Sequence, residues 1–291
     1  MIKTIDPKTI SQPELHAYLL SAVAPRPICF ASTIDGEGKV NLSPFSFFNV
    51  FSSNPPILIF SPARSGRDGS LKHSHQNVKE VPEVVINIVN HPIVEQMSLS
   101  STAYDKGVNE FLKAGLTQVP SEKVRPPRVG EAPVALECTV TEVIELADTP
   151  GAGNLILAKV ALIHINEKYL TDDKLDTQKL DLVGRMGESW YTRASGAALF
   201  EIPKPIRTKG IGVDSLPVSV RESKILTGNN LGRLGNLERV PTTSEMDMIR
   251  KSDEVKTKGL ADDIAKIHQL AKEWLAEGRT QDALSLLFSF E

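Results

Sequence analysis

Three stretches in the first third of the chain carry side chains that could hold a flat, charged ligand. Ala31-Ser32-Thr33 sits in an apolar run, SPFSFFN spans Ser43 to Asn49, and Ser61 through Asn77 gathers Arg64, Arg67, Ser70, Lys72 and Ser74. The first two stretches set small hydroxyls and backbone groups beside aromatic bulk. That combination suits a slot for a ring with hydrogen-bonding edges. The third places cations and hydroxyls on a loop that leads into a helix, where free N–H groups favour a phosphate dianion. A flavin nucleotide has both parts. The same residues also read as plain structure, with Phe45, Phe47 and Phe48 as core and Arg64 to Lys72 as a solvated turn. Residue types alone leave both readings open.

Other signals carry less. His73 and His75 are two apart, so on a helix their rings point about 200° from each other and cannot easily share a metal. Gly210-Ile211-Gly212 is half of a dinucleotide fingerprint, without the third glycine or the strand–helix setting. Asn41-Leu42-Ser43 matches a glycosylation pattern without a secretory leader beside it. No nucleophile-elbow motif supports a Ser-His-Asp hydrolase. His164, on an expected strand, is the histidine to consider beside a hydride donor, against a competing role in the core or at a sheet edge.

The chain has 291 residues, 41% hydrophobic and 24% charged, with 33 Lys and Arg against 36 Asp and Glu. A protein that lives on phosphate backbones shows a basic surplus, so nucleic-acid binding is disfavoured. No apolar run reaches the roughly 20 residues of a membrane span. Cys29 and Cys138 are too few for a disulfide framework. The expectation is a cytoplasmic enzyme or binding protein with no membrane partner and no metal.

The elements that must position these residues are mostly strands. Ser11 and Glu14 have capping-box spacing for a short helix ending before Pro25. Ile28 to Ile34, the turn Asp35-Gly36-Glu37-Gly38 and a run from Val40 read as a hairpin. Ile57–Phe60 and Val84–Val89 are short apolar strands. A second hairpin pairs the run from Val134 with Leu155 to Ile165, and Trp190-Tyr191 and Leu199–Ile202 give one or two more strands. Helices are confined to connections near 71–78, 93–101 and 110–114. This pattern predicts an antiparallel barrel of about six strands with helical decoration. From Thr208 to Pro241 the chain reads as an irregular Gly/Asn/Ser-rich arm. Beyond it, Ile264/Ile267/Ala271/Trp274 and Leu284/Leu287/Phe288 form two helical stripes. Gly278 is the stop between them, and Thr280 the cap of the last helix. An αα-hairpin of this size needs a surface to dock on, the barrel or a partner chain.

The run PRPICFASTIDGEGKVNLSPFSFFNVFSSNPPILIFSP resembles the opening of the flavin reductase-like proteins that use the FMN-binding split barrel, with their PRPIAW-S-T-D-G-x-N-AP-S-F-N-x-SxxPP signature. VNEFLKAGLTQVPSEKVRPPRVGEAPVALECTV and DLVGRMGESWYTR resemble the same family, in the same order. The resemblance covers residues 20 to 203. It implies a six-stranded split barrel over 1–205, a homodimer, and FMN near the dimer interface, with 206–291 as a C-terminal extension.

By resemblance, Ser32 and Thr33 meet the flavin. Their side chains alternate in facing, so one of the two contributes backbone only. Asn41, Ser43, Ser46, Phe47 and Asn49 run along the ring, while Ser61, Arg67, Lys72 and Ser74 serve the phosphate and ribityl chain. Relatives often have Lys-Asp-Thr where this chain has Lys72-His73-Ser74, which keeps the hydroxyl and loses the acid. Arg185 and Tyr191 match a later segment near the flavin.

The implied activity is hydride transfer from NADH or NADPH to FMN, then electron delivery to a small-molecule acceptor or a monooxygenase component. Such chemistry needs stacked rings more than an acid or base. The competing readings are a non-catalytic FMN electron-transfer or storage protein, and a pyridoxamine-phosphate-oxidase-like enzyme.

Overall fold

The computed structural model describes residues 1–203, 208–260 and 263–290. The chain forms two compact units, Met1–Phe200 and Glu201–Glu291. The expected boundary at Pro205 lies outside the described residues.

In the first unit the strands are β1 (Cys29–Ile34), β2 (Val40–Phe45), β3 (Phe48–Ser53), β4 (Pro56–Phe60), β5 (Glu83–Ile88), β6 (Gln118–Val119), β7 (Arg128–Val129), β8 (Val134–Glu145), β9 (Asn154–Ile165), β10 (Leu170–Thr171), β11 (Lys174–Leu175), β12 (Leu182–Arg185) and β13 (Tyr191–Ala194). Its helices are α1 (Gln12–Ala22), α2 (His73–Glu80), α3 (Val94–Ser100), α4 (Glu110–Ala114) and α5 (Thr177–Leu180). Seven strands join in one antiparallel sheet in the order β2-β1-β5-β8-β9-β4-β3. Both expected hairpins are present as β1/β2 and β8/β9. In the first turn Asp35 Oδ1 accepts the N–H groups of Glu37 and Lys39, and Gly38 takes φ +82°.

β2 and β3 are consecutive in the chain yet lie at opposite edges of this sheet. Laid flat, seven strands would hold the edges about 29 Å apart. Phe45 and Phe48 are three residues apart and span at most about 11 Å. The sheet is therefore rolled until the end of β2 and the start of β3 come close at Ser46-Phe47, and no ladder pairing between β2 and β3 is present among the described residues. The expected six-stranded count is corrected to seven because the run from Val40 breaks at this junction into two strands. The roll explains the core. Residues from distant strands, Cys29, Ala31, Leu58, Phe60, Ile86, Cys138, Ile156 and Ala158, pack together on its concave face. Ile28 and Phe30 turn the other way, under Met97 of α3 and Phe111 of α4. Both cysteines are free within the inner core, where burial pushes the Cys138 thiol up to about 12.

One further expectation is corrected. Tyr191 begins β13, which pairs with β12, but Leu199–Ile202 forms no strand; a 3-10 turn at Gly196–Ala198 precedes it instead.

The second unit is helical: α6 (Val218–Arg221), α7 (Gly228–Gly235), α8 (Thr243–Arg250), α9 (Asp253–Thr257), α10 (Ile264–Ala276) and α11 (Thr280–Ser289). The arm read as irregular thus contains α6 and α7, the latter started by a capping box between Thr227 and Asn230. Gly278 stands at φ +82° in the turn after α10, whereas Arg279, not Thr280, occupies the cap position of α11. Ile267, Ala271, Trp274, Leu284 and Leu287 are buried against Leu216, Val220, Leu234, Val255 and Leu260 of the same unit. Most of each hairpin stripe is thus covered within the unit, whereas Ile264 of the first stripe is exposed.

Candidate functional site

A cleft of about 600 Å³ opens in the first unit. Gln12, Pro13, His16 and Leu20 of α1 form one wall. Ser43, Pro44 and Phe45 of β2, with Ser46 and Phe47 of the junction, form the second. The loop after β4 forms the third through Ser61, Ala63, Arg64, Ser65, Gly66, Arg67 and Lys72, and Ser101 and Gly151 complete the lining.

The loop is held by its own backbone. Ser61 N donates to Phe47 O at 2.8 Å, Arg64 N to Ala152 O at 2.9 Å, and Ser65 N to Ser70 O at 2.9 Å. Ser61 Oγ accepts Asn154 N at 3.0 Å. Arg64 is committed: its guanidinium donates to Glu145 Oε2 at 3.1 Å and to the Gly69 and Ala147 carbonyls. Asp68 is committed as well. Hydrogen bonds from Ser65 and Ser70 hold its carboxyl down at about 2. Among the described residues, Arg67 and Lys72 have no carboxylate partner. Lys72 is also the residue before α2, which begins without a side-chain cap and so leaves first-turn N–H groups free for an anion or water. Two uncompensated cations beside an open helix start make this end of the cleft attractive to a dianion.

The structure brings Ser43, Ser46, Phe47, Ser61, Arg67 and Lys72 to the cleft. The other expected site residues are not in its lining. Thr33 Oγ1 accepts Asn77 Nδ2 at 3.1 Å, and Asn41 Nδ2 donates to Ser74 Oγ at 2.9 Å. These buried pairs pin α2 to β1 and β2, and so fix where the helix start and Lys72 stand. Ser32 is buried with its hydroxyl unpartnered. Asn49 is exposed and accepts the N–H of Val50 at 2.8 Å. Arg185 lies 4.6 Å over the Tyr191 ring and donates to Glu188 O.

His164 is engaged elsewhere. Its Nε2 is 2.6 Å from Glu137 Oε1, and Glu137 also accepts the N–H groups of Glu122, Lys123 and Val124. Burial pushes the Glu137 carboxyl up, but those donors outweigh it and hold the group below the usual range. This is a staple for the 121–125 loop. The histidine of the cleft lining is His16, set edge-on to Phe47 at 6.4 Å between ring centroids. The signal for it was present in the sequence: Gln12, His16 and Leu20 stand at i, i+4 and i+8, one stripe of a helix.

Residues 21–177 match the model of the flavin reductase like domain. The chain belongs to that family. An uncharacterized protein of Aquifex aeolicus is 34% identical over 189 residues, 65% of this chain and 94% of that protein. Among solved structures, nitrilotriacetate monooxygenase component B from Bacillus cereus superposes with a TM-score of 0.65 at 25% identity, covering 69% of this chain and 99% of that one. Flavoredoxin of Desulfovibrio vulgaris (Miyazaki F) shares the fold, with a TM-score of 0.54 at 22% identity over 71% of this chain and 98% of its own. Family membership makes this a flavin-related oxidoreductase at the level of class. Among the described residues, no helix is long and apolar enough to cross a membrane.

Proposed function

We propose that the cleft holds FMN and that the protein is a homodimeric, cytoplasmic NADH- or NADPH-dependent flavin reductase. The observation that carries this reading is the Arg67/Lys72 pair, unpartnered beside the uncapped start of α2 and adjoining a wall of Ser43, Phe45, Ser46 and Phe47. A volume of about 600 Å³ lies within the ordinary range for small-molecule sites. The residues fit the group: a dianion at the cationic end, a flat ring along the aromatic and hydroxyl wall. When bound, FMN supplies an N5 position able to take a hydride from a nicotinamide.

This chain's own residues bind and orient. Arg67, Lys72 and the first N–H groups of α2 hold the phosphate. Ser43 and Ser46 offer hydroxyls to the ring edge, while Phe47 limits its tilt. His16 and Leu20 of α1 close the slot from the far side and exclude water. No acid or base is required of them, since the rate of hydride transfer rests on ring approach and alignment. Dimerisation is supported by apolar side chains turned outward on β3, where Val50 is 63% and Phe51 64% exposed at a sheet edge. The likeness to a monooxygenase component supports onward electron delivery to such a component or to a small acceptor.

The test is titration of the purified protein with FMN and with riboflavin, followed by NADH or NADPH. FMN is expected to bind in preference to riboflavin, and its absorbance near 450 nm to bleach on reduction. Equal affinity for the two flavins overturns the phosphate assignment. Binding without bleaching turns the reading to a flavin carrier.

A further inference from the structure

We propose that Arg26 is a positioning residue that latches α1 across the cleft, through hydrogen bonds from one buried guanidinium to the end of that helix, to Met186 and to Ser46. Arg26 is 6% exposed and, among the described residues, has no carboxylate partner. A buried cation without an anion is costly unless its N–H groups find strong acceptors. Here Nη1 donates to Leu20 O and to Val23 O at 2.6 Å, Nη2 donates to Met186 O at 2.8 Å, and Nε faces Ser46 Oγ at 3.4 Å. Leu20 and Val23 lie at the C-terminal end of α1, the negative pole of its dipole, so the charge is answered by the helix. The backbone of Arg26 is itself fixed, exchanging two 2.9 Å hydrogen bonds with Arg185.

The need for such a latch follows from α1 itself. The helix supplies Gln12, Pro13, His16 and Leu20 to the cleft, yet none of its residues is buried. Apolar packing therefore contributes little to its placement. Arg26 holds one end of the helix and reaches a hydroxyl of the opposite cleft wall, so a single side chain sets the width of the slot between His16 and Phe47.

The binding arm of the test rests on the FMN reading; the exchange arm does not. Hydrogen exchange is measured on the full chain without flavin, and FMN affinity by fluorescence quenching. In Arg26→Met, amides of residues 15–23 are expected to exchange at least tenfold faster while β1, β5 and β8 keep their protection, and the Kd for FMN to rise at least tenfold. Arg26→Lys, which keeps the charge and loses the fork, is expected to fall between Met and wild type on both readouts, and it carries the test if the Met variant fails to fold. Unchanged exchange in α1, or loss of protection spread equally over the barrel strands, overturns the latch. If α1 loosens as expected but the wild-type protein takes no FMN, the latch stands and the FMN reading falls.

Discussion

Lys72 and Arg67 are the two cations of the cleft loop that no carboxylate answers among the described residues, since Arg64 is spent on Glu145 and Asp68 on Ser65 and Ser70. A charge-assisted hydrogen bond to phosphate contributes about 1.5–3 kcal/mol, and solvent exposure favours the lower end. Lys72→Ala and Arg67→Ala are each expected to weaken FMN binding roughly tenfold and to leave riboflavin binding unchanged, as read by flavin fluorescence. His268 supports a prediction about pH. Ser223 Oγ accepts the N–H groups of Ile225 and Leu226, so its own proton goes to His268 Nδ1 at 2.8 Å and fixes a neutral imidazole. Burial lowers the pKa of this histidine. As pH falls through the ordinary imidazole value of about 6.5, the unfolded chain takes up a proton that the folded chain refuses. Stability is thus full above that range and lost below it. His268→Asn keeps an acceptor and removes the titration. It is expected to flatten the fall in Tm of the helical unit between pH 7.5 and 5.5, measured by circular dichroism. An unchanged slope removes His268 as the source of the dependence.

Among the elements, α10 carries the core of the second unit. Trp274 is fully buried, donates from Nε1 to Glu254 Oε1 at 2.7 Å, and lies under the Arg279 guanidinium. Trp274→Ala is expected to destabilise that unit by about 3–5 kcal/mol. Thermal unfolding with FMN titration checks it: the helical transition should drop while flavin affinity holds. The elements that local chemistry dictates were legible from the sequence. The Ser11/Glu14 capping box and the Asp35–Gly38 turn each name their structure without help from the rest of the fold. What was hidden depends on tertiary placement. Nothing between Val40 and Ser53 breaks the strand pattern, since Pro44 is tolerated on an edge strand; the division at Ser46-Phe47 comes from closing the sheet. Glycine and asparagine mask α7, whose start is made by a cap rather than by propensity. In the site, the cations and serines were readable by type. The part of α1 was carried only by the Gln12/His16/Leu20 stripe, and a helix that buries nothing adds no core signal to it.

At the scale of the molecule, every cleft residue lies between Gln12 and Gly151, and the helical unit has an apolar core of its own. A chain ending at Pro203 is expected to bind FMN within about twofold of the full-length protein, a difference of a few tenths of a kcal/mol; loss of binding by a folded truncation would place a cofactor contact in the extension. The junction at Ser46-Phe47 has a further consequence. The rolled sheet is like a hoop of staves in which every neighbouring pair is held by hydrogen bonds except one, and there the polypeptide itself is the tie. The protein's tolerance to being re-cut should follow this. A circular permutant opened in the turn between β8 and β9 keeps both the covalent tie and the β8/β9 ladder. One opened between Ser46 and Phe47 preserves every rung of the sheet and yet frees its two rims to spread, taking with them the two residues whose spacing sets the aromatic wall of the cleft.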